Sequence, residues 1–291
     1  MDQVQEWMHD YLFSTGSPTM EYVGALQKEQ SYEKFAQYVR SLLDLPIGWY
    51  KKSKNADDSF SIIRKAISNK GTIVMMSGIV GNNTHRPLSI DEFRAFSIPD
   101  DYAPLIFINS NDSVNGKLFS LLHEFAHICI GENSLFNDRY STGKKVKRAE
   151  TLCNAVAAEI LVPQKIFIQE WNVAIQQNEQ EQTVNILARN FKCGVTVIAR
   201  KAYDNGFIEY DLYRKISKFA VQIYNDHRKR MKERGESGGD YYRTAASRID
   251  QRFFRLLISS VYEGKTLYSD AFRLTNTNRS TFTNLVESVG G

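Results

Sequence analysis

The sequence predicts an α+β fold: a short antiparallel sheet backed by helices, with a helical N-terminal extension and a largely helical C-terminal part. Three observations carry this. Gly71 to Val80 and Ala103 to Asn109 are compact, β-branched or apolar runs bounded by turn residues, as strands are. Leu118 to Gly131 and Arg148 to Pro163 are apolar runs too long for strands; neither has an internal proline, and a glycine and a proline stand where helices would stop. From Thr183 onward apolar residues recur at helical spacing.

Taken in order, Trp7, Tyr11 and Leu12 suggest a first helix, STGSP a turn, and Tyr32, Phe35, Tyr38, Val39, Leu42 and Leu43 one amphipathic helix ended near Pro46. His9 is a lone histidine in an aromatic helix and reads as structural. Asp57 to Lys70 is a helix with Phe60, Ile62, Ile63, Ala66 and Ile67 inward. After the first strand, Gly81-Asn82-Asn83 is a turn, and Leu88 to Ile98 a loop or short helix entering another strand.

Length and composition set the frame. With 291 residues the chain can bury a large core. Its formal charge of +4 is too small to argue for nucleic acid by itself. Three cysteines argue against a disulfide framework; Cys129 and Cys153 fall on the two long apolar helices and read as core. The N-terminal residues lack a basic region followed by an apolar run, and no stretch approaches a bilayer span, so a cytoplasmic protein is expected.

The chemistry lies in Leu118 to Gly131. It contains His123-Glu124-Phe125-Ala126-His127, an H-E-x-x-H pattern. Helical positions i and i+4 share a face, so both imidazoles point at one spot and fit two corners of a tetrahedral zinc site. Glu124 can then poise over a metal-bound water as general base. The plainer alternative is a buried helix with two satisfied histidines, so a third ligand decides. Glu150 follows His127 by 23 positions, room for a loop and the start of a returning, alanine-rich helix. Asn154, one turn on, is placed to accept a hydrogen bond from the non-coordinating nitrogen of a ligand histidine. Glu159, nine positions beyond Glu150, is the rival ligand on a poorly matched face. Cys129 lies on the wrong face to ligate. Tyr140, in the polar loop between the two helices, is a candidate oxyanion stabiliser; His85 and Tyr102 are others.

The segments FSLLHEFAHICIG and ExxCNAVAAEILVP, and the lead-in Pro104-Leu105-Ile106-Phe107-Ile108-Asn109, resemble the ImmA/IrrE zinc metallopeptidases from about Ile62 to Tyr210. The resemblance implies a compact zincin-like core, one zinc per chain on His123, His127 and Glu150, Glu124 as base, and a bacterial or mobile-element origin. It also implies action on helix-turn-helix transcriptional repressors. In a minimal zincin an edge strand beside the metal binds extended peptide by strand addition; which strand is the edge is not legible.

The expected domains are a helical extension over 1–57, the zincin-like core over 58–165, a helix-turn-helix-like segment over 166–210 and a basic helical region over 211–291. In the third, helices flank a turn at Cys193-Gly194; with only Arg200 and Lys201 on the second helix, packing on the core is favoured over reading DNA. The fourth carries the basic run His227 to Arg234 and a glycine-rich break at 235–239, read mainly as a solvated face, with direct nucleic-acid binding not favoured. A chain ending at Tyr210 is expected to keep its metal.

Two function classes follow. One is a zinc endopeptidase cutting a protein, a helix-turn-helix repressor foremost, and so derepressing genes of a mobile element or stress response. The other is a non-catalytic module that sequesters a repressor or antitoxin-like partner. The intact Glu124 favours the first. No membrane partner is expected.

Overall fold

The computed structural model describes residues 1–81, 83–132, 144–233 and 247–290. Its centre is a sheet of three strands, β1 (Ile73–Ser77), β5 (Leu105–Asn109) and β4 (Ala95–Ile98), in the order β1-β5-β4. β2 (Ile79–Val80) and β3 (Asn83–Pro87) form a separate hairpin. β4 turns directly into β5 and pairs with it antiparallel. β1 runs parallel to β5, in register from Ile73 with Leu105 to Ser77 with Asn109. The sheet is therefore mixed, where an antiparallel one was expected: the long connection from β1 to β5 carries the chain back across the sheet, and only such a crossover permits a parallel pair.

All five residues of β5 are buried. Alternation along β1 and β5 splits them between two cores. Val74, Ile106 and Ile108 face the larger core, built with α3 (Ala56–Asn69), α4 (Val114–Ile130) and α5 (Lys144–Leu161). Ile73, Met75, Leu105 and Phe107 face the smaller one, built with α1 (Asp2–Ser14) and three C-terminal helices, α10 (Gln251–Tyr262), α11 (Tyr268–Thr275) and α12 (Arg279–Gly290).

The N-terminal 57 residues thus serve two layers. α1 lies with the C-terminal helices, its Trp7 donating to Thr266 Oγ1 at 3.1 Å. α2 (Tyr32–Leu42) packs on α5. Between them, residues 15–31 are turns rather than helix. His9 is structural as expected, 2.9 Å from Asp100 and edge-on to Tyr102.

The C-terminal helices are locked to β1. Asp250, the N-cap of α10, accepts from Phe253 N at 3.0 Å and from Val74 N at 3.2 Å. Arg64 donates to the carbonyls of Val74, Ser247 and Ile249. These contacts use backbone groups of the β1 edge that would otherwise be an open template for pairing.

After α5 come α6 (Gln164–Ala174), α7 (Gln180–Phe191) and α8 (Val195–Asp204). Lys192, in the left-handed region at φ 54°, makes the turn from α7 to α8. Val184, Leu187, Phe191, Ile198 and Ala202 bury this pair in the larger core, as the packing alternative required. α9 (Tyr210–Glu233) starts on that core through Ile216, but Phe219, Val221 and Ile223 are exposed. Cys129, Cys153 and Cys193 are buried free thiols; burial pushes all three up, Cys193 to about 12. No single helix among the described residues is long and apolar enough to cross a membrane.

Candidate metal centre

α4 is the helix on which the centre is built. Ser113 caps its N-terminus by accepting from Gly116 N at 3.0 Å. It is apolar on nearly every side, so packing rather than propensity fixes its position. It ends at Gly131 in the left-handed region at φ 73°. Two of its last carbonyls are taken up by the turn segment after α1: Gly24 N donates to Ile128 O at 3.1 Å and Leu26 N to Cys129 O at 2.9 Å. Gly24 and Gly131 approach so closely that a Cβ on Gly131 would sit 3.1 Å from Gly24 Cα.

His123 and His127 leave one face of α4 toward α5. Buried Ala149, Cys153, Val156 and Ala157 let α5 come close, which brings Glu150 to the histidines. Nε2 of His123 and Nε2 of His127 are 3.1 Å apart. Glu150 Oε1 is 3.1 Å from His127 Nε2, and Oε2 is 3.3 Å from His123 Nε2. For metal–ligand bonds of about 2.0–2.1 Å, the edge of a tetrahedron is about 3.3 Å. The three side chains thus stand at nearly the spacing that ligands of one tetrahedral ion need, and two imidazoles with a carboxylate suit zinc. His127 is fully buried, while the Glu150 side chain keeps 29 % exposure, so the cluster meets solvent on the Glu150 side.

The electrostatics follow from this proximity. Burial alone would lower the His123 pKa; its hydrogen bond to Glu150, the Glu124 and Glu150 charges, and Asn154 outweigh burial and raise it. Burial would raise the Glu150 pKa, but hydrogen bonds from both imidazoles and their charge hold the carboxyl well below the usual carboxylate range.

Glu124 is 5 % exposed and accepts a hydrogen bond from Ser97 Oγ at 2.8 Å. Ser97 is fully buried on β4. Sequence reasoning missed it; the available signal was one hydroxyl within the apolar strand Ala95–Ile98. The same contact identifies β4 as the edge strand beside the centre, since the β1 edge is covered by Asp250 and Arg64.

The other candidates are placed as follows. Asn154 interacts with His123 and helps raise its pKa, but Nδ1 of His123 and Nδ1 of His127 are both buried without a hydrogen-bond partner, so Asn154 does not hold the rear nitrogen. Phe119 stacks on the His123 ring, centroids 6.3 Å apart. Glu159 is no ligand: it accepts from Lys201 Nζ at 2.8 Å and from Gln164 N at 3.0 Å, tying α5 to α6 and α8. Tyr102 packs on His9 and Phe13 over the smaller core, away from the centre. His85 lies on β3, exposed, with no contact to His123, His127 or Glu150 among the described residues. Tyr140 lies outside the described residues.

With this geometry in place, comparison with known families is informative. Residues 84–203 match the Peptidase M78 model, described as the IrrE N-terminal-like domain. Over these residues the chain is similar to the IrrE-like peptidase family. The IrrE-like match begins in the β2–β3 hairpin and ends in α8, so it contains all three converging side chains, Glu124 and Ser97. Beyond it, residues 249–288, nearly all of α10 to α12, match a model described as a domain of unknown function, DUF8813. No curated protein matches the chain.

Proposed function

We propose that this protein is a zinc-dependent endopeptidase. The carrying observation is the triangle of His123 Nε2, His127 Nε2 and a Glu150 oxygen at tetrahedral-edge spacing, with Glu124 buried beside it on the same helix. The IrrE-like match supports the peptidase class. Zinc held by these three residues would supply Lewis acidity toward the scissile carbonyl and make water a better nucleophile near neutral pH.

The chain's own residues do the rest. Glu124 takes the proton of the attacking water and delivers it to the departing amine. Ser97 holds one carboxylate oxygen, which fixes the direction of the other. β4, the edge strand beside Glu124, is where an extended substrate would add by backbone pairing. Glu150, ion-paired with both histidines, keeps their Nε2 atoms directed at one point.

The substrate class we propose is a helix-turn-helix transcriptional repressor, on the strength of the family resemblance, with gene derepression in the cytoplasm as the outcome. The test mixes wild type or Glu124→Gln with the repressors encoded nearest this gene and reads cleavage on a gel and release from operator DNA. Cleavage by wild type alone supports the peptidase. Release by both without cleavage favours the sequestering module.

A further inference from the structure

A cleft of about 2090 Å³ opens beside the candidate centre and is walled by the N-terminal half of α4, by α5, by the α7–α8 turn and by α9. It borders the centre: Phe119, stacked on His123, and Asn154, which interacts with His123, both line it. Its charge is one-sided. Arg94 is paired with Asp112 at 2.9 Å, Arg200 with Asp204 at 2.9 Å, and Lys201 with Glu159 at 2.8 Å. Four more cations line the cleft: Lys54, Arg189, Lys192 and Arg228. Among the described residues none of these four side chains is ion-paired; the backbone N–H of Lys54 donates to Asp58 Oδ2 and Arg189 Nε donates to the carbonyl of Asn185. Among the described lining residues Asp91 is the carboxylate outside those three pairs, and it has interactions of its own.

We propose that this cleft receives an acidic segment of the protein that is cut, and so selects substrates carrying Asp or Glu on one side of the scissile bond. The inference rests on the peptidase reading above. Cations left unpaired in a concave, partly apolar groove attract a complementary anion more strongly than the same cations on an open surface. The groove adjoins the proposed peptidase site at Phe119 and Asn154, and its apolar wall from Phe119 to Val221 and Ile223 suits side chains of a polypeptide. That continuity favours a protein segment over a nucleic acid strand.

The test uses full-length, zinc-loaded Glu124→Gln, so binding is read without cleavage. Three fluorescein-labelled peptides of one length carry a central run of Glu, of Gln or of Lys, and anisotropy gives their affinities. The Glu peptide should bind at least about tenfold more tightly than the Gln peptide, and less tightly as salt rises. Arg189→Glu with Lys192→Glu should abolish that preference, and Arg189→Gln with Lys192→Gln should reduce it. Arg255→Glu with Arg279→Glu, exposed on α10 and α12 and outside the cleft, should leave it within about threefold. Zinc content and circular dichroism establish that each variant is folded. Equal binding of the Glu and Gln peptides, or equal losses from cleft and control reversals, overturns the proposal. So does a single-stranded oligonucleotide that binds more tightly than the Glu peptide and is weakened by the same cleft reversals. Failure of the peptidase reading is separate: wild type would cut nothing while the Glu preference persisted.

Discussion

Ser97 Oγ, on the buried face of β4, donates to Glu124 Oε2 at 2.8 Å. The sheet thereby touches the chemistry directly, through one hydroxyl set against the helix that carries both histidines. Ser97→Ala should keep one zinc per chain and lower turnover about ten- to a hundredfold, the range for losing a group that orients a reacting side chain. Ser97→Thr should recover part of the loss. Steady-state kinetics on a cleaved substrate, with metal analysis of the same samples, check this; unchanged kcat in Ser97→Ala would show that Glu124 needs no such support.

Glu159 and Lys201 form a buried ion pair, their side chains 9 % and 10 % exposed. Removing one partner leaves a buried charge uncompensated, at a cost of about 3–5 kcal/mol. Glu159→Ala should therefore shift the denaturation midpoint strongly while the folded fraction still binds zinc one to one. Glu159→Gln combined with Lys201→Met should be milder than either single change. Loss of zinc from folded Glu159→Ala would return this residue to the ligand set.

Protons compete with metal for the centre. In metal-free protein the Glu150 pKa is lowered from 4.5, so its contribution to stability is present above pH 4.5 and lost as pH falls through the folded value. The His123 pKa is raised from 6.5, so its contribution is fully present below pH 6.5 and lost as pH rises through the folded value. The ion pair should thus stabilise metal-free protein most between about pH 4.5 and 6.5, and Glu150→Gln should flatten thermal midpoints measured across that window. Zinc needs neutral imidazoles, so its affinity should rise with pH and binding should release protons. Calorimetry in two buffers of different ionisation enthalpy measures the release; none would contradict the assigned pair.

A chain ending at Tyr210 was expected to keep its metal as an independent unit. The structure adds a cost in stability to that expectation. α10 to α12 cover Ile73, Met75, Leu105 and Phe107 on the second face of the sheet, and a shortened chain would leave these apolar side chains in water at about 25 cal/mol per Å² of exposed area. Chains ending at 210 or 233 should show a lower thermal midpoint, bind a hydrophobic dye and aggregate. An unchanged midpoint would mean that the second layer is dispensable.

The centre was the most legible part of the chain because its geometry is local: a four-residue spacing on one helix, and a glutamate early on the next. The same locality made Gly131 readable as a helix end. Contacts between distant segments were not legible. Nothing near Ser97 in sequence announces Glu124, nothing near Glu159 announces Lys201, and the role of Asp250 against β1 depends on a pairing 176 residues apart. The parallel pairing of β1 was missed for a related reason: strand direction depends on the path of the connection, while alternation reports only which faces are buried. Both faces of β5 proved buried because the two ends of the chain meet over one of them.

The most direct test is the zinc content of protein purified without added metal, measured by elemental analysis on wild type beside Glu150→Ala. The account predicts about one zinc per folded wild-type chain and a large loss in Glu150→Ala that still folds. Wild type free of zinc and unable to take it up, or folded Glu150→Ala with a full complement, would contradict it.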